Sequence, residues 1–386
     1  MLKPRIVLSA VNFTEGGPLS IFQDALRILA DEFSARYEIV ALVHDRSLFR
    51  AEPVTYLEFP KVKSSWFSRI WFEYYGCKSL SRQLQPVLWL ALHDMTPNVY
   101  ATVRAVYCHN PSPFDRLESS NLFRNWKHTA FVLLYRYLYR INLFRNDYVI
   151  VQQEWMRREF QRLYGHGKIV VAHPAVKSLR IPDKSDTKDG CRFFYPALPR
   201  PFKNFEVLLQ AVRELRRRQV GGFRLTLTID GSESRYAAEL RAAAVDLPEI
   251  EWVGRLSREQ VVSLYAESDC LLFPSRLETW GMPISEFKQT GRAIFAADLP
   301  YAHETIGSYD AVRFFPPNDP AALAGLMEQF IRGDLRLDSV AAPTPPAPFA
   351  ADWKVLFDLL LGHEPTRVNV EPGRARSAVT SAGTDH

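Results

Sequence analysis

Short apolar runs alternate with longer amphipathic stretches along most of this chain, the rhythm of strands alternating with helices. Residues 5–13 form an apolar run that predicts a buried strand. Thr14-Glu-Gly16-Gly17-Pro18 breaks it before an apolar-periodic helix reaching about Leu29. The strand-like "YEIVALVH" follows, so the chain opens β-loop-α-β. The rhythm restarts near Cys191 with strand "CRFFYPAL", helix "NFEVLLQAVRELRRR", strand "RLTLTID" and Gly231. A helix near 233–245, strand "IEWVG", a helix over 257–267 and strand "CLLFPS" come next. Ser257 and Gln260 have capping-box spacing at that last helix. Beyond it, residues 275–286 read as a loop and then a helix, with Pro283 at its start and Gly291 past its end.

Two βαβ-rich halves joined by the polar, aperiodic "PAVKSLRIPDKSDTKDG" predict an α/β protein of two Rossmann-like domains facing a cleft. A chain of 386 residues is too long for one comfortable core. The expected division is an N-terminal domain over 1–176, a linker over 177–190 and a C-terminal domain over 191–345. After the Pro-rich "APTPPAPFAADW", a last helix falls within 346–363, and the polar tail 364–386 is expected to be disordered. A net charge of +5 is too small to argue for nucleic acid. Cys77, Cys108, Cys191 and Cys270 form no CxxC pair and have no His-rich companion, which argues against a metal cage and a disulfide framework and fits a reducing cytoplasm. The start "MLKPRIVLSAVNF" reads as a strand, not a secretory signal. No stretch approaches the roughly 20 uninterrupted apolar residues of a membrane span, so a soluble or membrane-peripheral protein is expected.

The candidate chemistry lies at strand ends. Glu278 belongs to the loop after a strand, and Glu286 is expected in the first turn of the next helix. In open α/β sheets ligands gather there, where helix N-termini and carboxyl strand ends converge. Gly281 lets backbone approach a ligand closely, and carboxylates beside an anion site suit sugar or ribose hydroxyls, which donate hydrogen bonds. Pro199-Arg200-Pro-Phe-Lys203-Asn204 joins another strand end to a helix start, where a cation would meet a diphosphate. Asp230-Gly231-Ser232-Glu233 offers amides to phosphate or forms a tight turn. Gly16 and Gly17 permit close approach at the first strand-to-helix turn, without the GxGxxG of nicotinamide enzymes. His109, in Val106-Tyr-Cys-His109-Asn-Pro111, could bond a sugar hydroxyl or carry a proton, although a lone His is usually structural. Asp94, after His93 at another strand end, is a candidate general base toward an acceptor.

The pattern Glu278-x7-Glu286 with internal Trp280-Gly281-Met282-Pro283 continues through "GRAIFAADLPYAHETIG" and "AVRFFPPNDPAALAGLM". It resembles the retaining nucleotide-sugar glycosyltransferases with the GT-B fold, family 4. The resemblance implies metal-independent, cofactor-free transfer of a hexose or deoxyhexose from a nucleoside-diphosphate sugar, GDP-mannose favoured. The implied acceptor is a surface-polysaccharide or lipid-linked glycan. It assigns Glu286 to ribose hydroxyls and Glu278 to the donor sugar, with Met282, Pro283 and Ile284 lining the pocket between them. Lys203-Asn204 looks like the family's Lys-Gly or Lys-Asn element, with Lys203 on the diphosphate. Where many relatives carry Arg six residues earlier, this chain has Ala197, and Arg200 is the candidate substitute. Arg255 and Leu256 would flank the base, and His109 matches the family's His-Asn-Pro segment on the acceptor side. By the same analogy the final helix crosses back to the first domain. A covalent route through Glu278 and a front-face route both stay open. A nucleotide-sugar epimerase or hydrolase, or a non-catalytic sugar- or lipid-binding scaffold, are the alternatives.

Two segments, "WFSRIWFEYYGCKSLSRQLQPVLWLAL" and "FVLLYRYLYRINLFRN", interleave aromatics with basic residues. In the second, Tyr135, Leu138 and Tyr139 fall near one helical face, beside Arg136 and Arg140. Such helices suit an anionic membrane interface or a core edged by snorkelling arginines. Lipid-linked acceptors among relatives favour the membrane, giving the expectation of a cytoplasmic protein peripheral to the inner face of the plasma membrane. No nucleic-acid motif accompanies the aromatics.

Overall fold

The computed structural model describes residues 3–14, 16–114, 126–182, 190–341 and 344–363. The tail expected to be disordered and residues 183–189 of the expected linker lie outside the described residues. The first sheet contains β1 (Arg5–Ala10), β2 (Glu38–Val43), β3 (Thr55–Glu58), β4 (Leu88–Ala91), β5 (Val103–Cys108), β6 (Tyr148–Val151) and β7 (Ile169–Ala172). The second contains β8 (Cys191–Tyr195), β9 (Phe223–Leu227), β10 (Ile250–Trp252), β11 (Cys270–Phe273), β12 (Ala293–Ala297), β13 (Tyr309–Phe315) and β14 (Asp338–Val340). A last strand, β15 (Phe349–Ala350), returns to the first sheet and pairs in parallel with β7.

The strand orders are β15-β7-β6-β5-β4-β1-β2-β3 and β10-β9-β8-β11-β12-β13-β14. Pairing is parallel except between β13 and β14. Central strands such as β4, β11 and β12 are buried along their whole length. Helices cover both faces of a parallel sheet, which is why these strands read as continuous apolar runs. The helix Trp353–Leu361 follows β15 and puts Trp353, Leu356, Phe357 and Leu360 into the first lobe's core, with Trp353 stacked on Tyr107 at 5.5 Å.

In the first sheet the connections run outward in opposite directions from β1 and β4; in the second, from β8 and β11. These reversals are the topological switch points, where the carboxyl ends of adjacent strands splay and leave a crevice. The lobes touch through loops at those carboxyl ends. Gln153, after β6, donates to the Tyr301 carbonyl at 3.1 Å and to Thr305 Oγ1 at 2.8 Å. His173, after β7, packs on the Trp280 ring at 4.5 Å. The carboxyl edges of the two sheets therefore face each other.

Of the two readings of the helix Trp126–Arg140, the core one fits Leu138 and Tyr139, which are buried. The outward apolar residues are Phe131, Leu133, Leu134 and Tyr137. Tyr139 is drawn inward because its hydroxyl donates to Asp94 Oδ1 at 2.8 Å.

Candidate active site

In the second lobe the loops after β8 and β11 meet over the switch point. The β8 loop closes with a short 3-10 turn, Pro201–Lys203, and the β11 loop carries Glu278. The Arg276 amide donates to the Phe202 carbonyl at 2.7 Å and ties the loops together. Lys203 Nζ donates to Glu278 Oε1, and the two side chains are only 18% and 13% exposed. The ammonium also lies 5.6 Å from the Phe202 ring and 5.9 Å from Phe273, so one face of this ion pair is apolar. Burial, together with the Glu278 charge, holds the Tyr195 and Tyr301 phenols well above their usual range.

Asn204, expected among the donor contacts, is fully buried. Its side-chain amide donates to the carbonyls of Pro274 at 3.1 Å and Pro317 at 2.8 Å. Its backbone sits at φ 57° and ψ 44°, a left-handed conformation that Asn and Gly tolerate best. That accounts for an Asn after Lys203: it turns the chain into the helix Phe205–Arg217 and leaves its side chain inside.

Gly281 has φ 88° and precedes the helix Met282–Phe287. Glu286 is the fifth residue of that helix, not in its first turn as expected, and is 4% exposed. Tyr265 donates to Glu286 Oε2 at 2.8 Å, and Arg258 Nη1 donates to Oε1 at 2.6 Å. Trp280 Nε1 donates to Ser285 Oγ at 2.9 Å, pinning the Glu278 loop to the same helix. Ile284 is buried, while Met282 and Pro283 are partly exposed.

The expected phosphate amides have partners within the chain. Gly231 N donates to Glu233 Oε2 at 3.1 Å and Ser232 N to Asp230 Oδ1 at 2.8 Å. The tight-turn arrangement is thus realised, with carboxylates standing where an anion would. Arg200 and Arg255 are exposed at the ends of β8 and β10, and Leu256 is partly buried. Among the described residues no three His, Cys, Asp or Glu side chains gather as a metal-binding set.

In the first lobe the loops after β1, β4 and β5 form the opposing edge. Gly16, at φ 74°, and Gly17 open the helix after β1 and are exposed. Asp94 has φ 70° and is 8% exposed. Its Oδ1 accepts the amides of His109 at 2.8 Å and Asn110 at 3.1 Å as well as the Tyr139 hydroxyl. Three donors on one oxygen make Asp94 the post on which the His109 loop is built. His109 is 11% exposed, with Nε2 3.7 Å from Asp94 Oδ2 and its ring against Phe13 at 5.2 Å. Its buried Nδ1 finds no hydrogen-bond partner among the described residues.

Residues 180–341 match the family model described as glycosyl transferases group 1. The match covers the second lobe. No curated protein matches the chain. Among solved structures, the chain is similar to sucrose-phosphate synthase from Thermosynechococcus elongatus, with a TM-score of 0.63, 16% identity and coverage of 86% of this chain and 90% of that one. It is also similar to the lipopolysaccharide outer core galactosyltransferase WaaB (TM-score 0.59, 15% identity, 87% of this chain and 92% of that). HepE from Anabaena, in complex with UDP and glucose, is similar too (TM-score 0.56, 14% identity, 85% of this chain and 90% of that). At these identities the likeness is one of fold: the two Rossmann-like lobes form a GT-B architecture.

Four residues of this neighbourhood escape the sequence reading. In the second lobe these are Arg258 and Tyr265 on Glu286, and Arg276 in the β11 loop. The fourth is His173, which joins the first lobe to Trp280 and whose Nε2 lies 3.4 Å from Glu304 Oε1. Only Arg276 carried a sequence signal, as a cation two residues before Glu278.

Proposed function

We propose that this protein is a retaining, metal-independent glycosyltransferase that moves a hexose or deoxyhexose from a nucleoside-diphosphate sugar to a glycan hydroxyl. The observation that carries this reading is the Lys203–Glu278 pair bridging the β8/β11 switch point within the matched lobe. Lys203 is placed to take charge from the departing diphosphate. Glu278 sits beside it for the sugar, and Glu286 serves the ribose. In the reaction the bond from C1 to the diphosphate oxygen breaks, and the acceptor oxygen bonds C1 on the same face. The hydroxyl proton passes to the leaving diphosphate in the front-face route. Alternatively, Glu278 bonds C1 as the diphosphate leaves, and the acceptor oxygen then displaces the carboxylate while its proton passes to the released diphosphate. His109, held by Asp94 in the loop after β5, would contact the sugar or the acceptor from the first lobe. Two neighbours in the fold, HepE and the pneumococcal O-GlcNAc transferase GtfA, hold UDP in their structures, so the donor panel must include uridine as well as guanosine sugars.

The test is calorimetric binding of UDP, GDP, UDP-glucose and GDP-mannose, followed by product analysis with chelator present and by NMR of the new anomeric centre. Donor turnover only with an acceptor, retained configuration and indifference to chelator are expected. Donor change without acceptor would favour the epimerase or hydrolase reading, and binding without turnover the scaffold.

The acceptor is a lipid-linked or surface glycan met at an anionic membrane, and exposed aromatics support that reading. Trp66, Phe67, Trp71 and Tyr75 are exposed on one segment and Leu133, Leu134 and Tyr137 on another, and the Trp66 ring lies 6.2 Å from that of Tyr135, where the two segments meet. Arg69 stacks over Trp66 at 5.2 Å and donates to the His93 carbonyl at 2.9 Å, which sets this junction beside the first lobe's site loops. No helix among the described residues is long and apolar enough to cross a membrane. The expected result is sedimentation with phosphatidylglycerol vesicles, lost with Phe67→Ser/Trp71→Ser. Equal recovery with neutral vesicles, or no binding, would remove the membrane from this proposal.

A further inference from the structure

Glu286 is gripped from one helix by two donors. Arg258 and Tyr265 both lie on the helix Arg258–Glu267, seven residues apart and hence on one face two turns apart. Ser257 fixes the start of that helix through a capping box with Gln260. Tyr265 is fully buried. Its burial and the adjacent carboxylate hold the phenol well above its usual range, so its hydroxyl is a donor at any working pH. Arg258 keeps a half-exposed stem and sends its guanidinium in to a carboxylate that is 5% exposed.

The partition of oxygens matters. Tyr265 takes Oε2 and Arg258 takes Oε1, one donor each. An ionised carboxylate offers about four acceptor sites, two on each oxygen. One site per oxygen is then left, side by side, for a pair of neighbouring hydroxyls. A ribose presents such a pair at its 2′ and 3′ positions.

We propose that Arg258 and Tyr265 are positioning residues that set Glu286 as a two-oxygen acceptor for the vicinal ribose hydroxyls, and that they thereby set the preference for ribonucleotide over deoxyribonucleotide donors. This rests on the reading of the second lobe as a nucleotide-sugar site. Neither residue touches the nucleotide in this proposal; each acts through the orientation of Glu286. Losing either grip lets the carboxylate rotate, which weakens the ribose contact and leaves the remaining donor contacts in place.

The experiment compares UDP with 2′-deoxy-UDP, and GDP with 2′-deoxy-GDP, by calorimetry on the full chain. Wild type is expected to favour the ribonucleotide by about tenfold, and Tyr265→Phe to weaken it about fivefold while leaving the deoxy form within about twofold. With the sugar donor, KM should rise about fivefold while kcat stays within about twofold, since the lost contact is equal in ground and transition states. Arg258→Met, at a half-exposed position that tolerates change, should narrow the ribo/deoxy ratio in the same way, and Arg258→Lys should restore part of it. A folded Tyr265→Phe and Arg258→Met that both keep the wild-type ratio overturn the proposal, even with donor binding intact. If wild type binds neither UDP nor GDP, the donor-site reading falls, and this inference with it. If wild type binds both sugar forms equally, only the inference falls.

Discussion

Replacing Lys203 by Met tests whether the contact at the switch point is structural, catalytic or both. The Lys203 and Glu278 side chains are 18% and 13% exposed, with the Phe202 and Phe273 rings beside the ammonium. Removing one partner of a pair this buried strands the other charge, which typically costs about 3–5 kcal/mol. Residual exposure on both sides argues for the lower end, about 3 kcal/mol. The double variant Lys203→Met/Glu278→Gln removes both charges and should return to within about 1 kcal/mol of wild type, because replacing the whole pair is often nearly neutral. Urea unfolding followed by circular dichroism gives both numbers. Chemistry should not follow stability. Losing the cation proposed to meet the diphosphate should lower turnover on the order of 10²–10³-fold in the single variant, and the double variant should stay as inactive. A Lys203→Met protein as stable as wild type would show that the pair is not energetically coupled. A double variant that regains turnover would remove both residues from the chemistry.

Two further perturbations separate conformational from functional roles. Asn204→Ala loses two buried hydrogen bonds and places Ala at φ 57°, so it should cost about 2–4 kcal/mol, whereas Asn204→Gly escapes the strain and should be about 1 kcal/mol milder; equal urea midpoints for the two would refute the left-handed argument. Glu73 is fully buried, and burial pushes its carboxyl up to about 8. Between its ordinary value near 4.5 and about 8 the folded chain holds a proton that the unfolded chain has lost, so this group's contribution to stability falls as pH rises through that window. Glu73→Gln should therefore gain on wild type progressively from pH 5 to pH 8 and level off above it. A stability difference independent of pH would show that Glu73 does not titrate in this range.

The strand–helix rhythm was legible because parallel strands covered on both faces must be apolar throughout, as β4, β11 and β12 are. The loop carrying Glu278 was legible for a related reason: Pro and Gly mark where helices start and stop. What stayed hidden depends on packing between segments. Glu286 meets Arg258 and Tyr265 across separations of 28 and 21 residues, which no local pattern encodes. The helix carrying Phe131, Leu134, Leu138 and Tyr139 is apolar on several faces, so periodicity gives stripes but not which one turns inward. Leu138 and Tyr139 are the buried ones, and Tyr139 bonds Asp94 there. Asn204 shows a third limit: a residue type that suits a site loop equally suits a left-handed turn, and only the backbone angle separates the two.

The charges of the groove are paired within the chain. Each acidic group expected to serve a sugar or ribose already has a cation of its own: Lys203 for Glu278 and Arg258 for Glu286. The amides of Gly231 and Ser232 are likewise held by Glu233 and Asp230. A charge left unpaired at such low exposure would be costly, so internal pairing stabilises the site. It also means that a nucleoside diphosphate gains less from meeting Lys203 than from a bare ammonium, since it must compete with Glu278 for the same donor. Exchange relieves that competition only if the sugar hydroxyls take over Glu278 as the phosphate takes Lys203. A nucleotide lacking its sugar satisfies half of the exchange, and the complete donor satisfies both halves. On the proposed reading the sugar contributes to affinity through the ion pair it helps to open, and Glu278→Gln, which weakens that pair in advance, should narrow the affinity gap between the nucleoside diphosphate and its sugar conjugate.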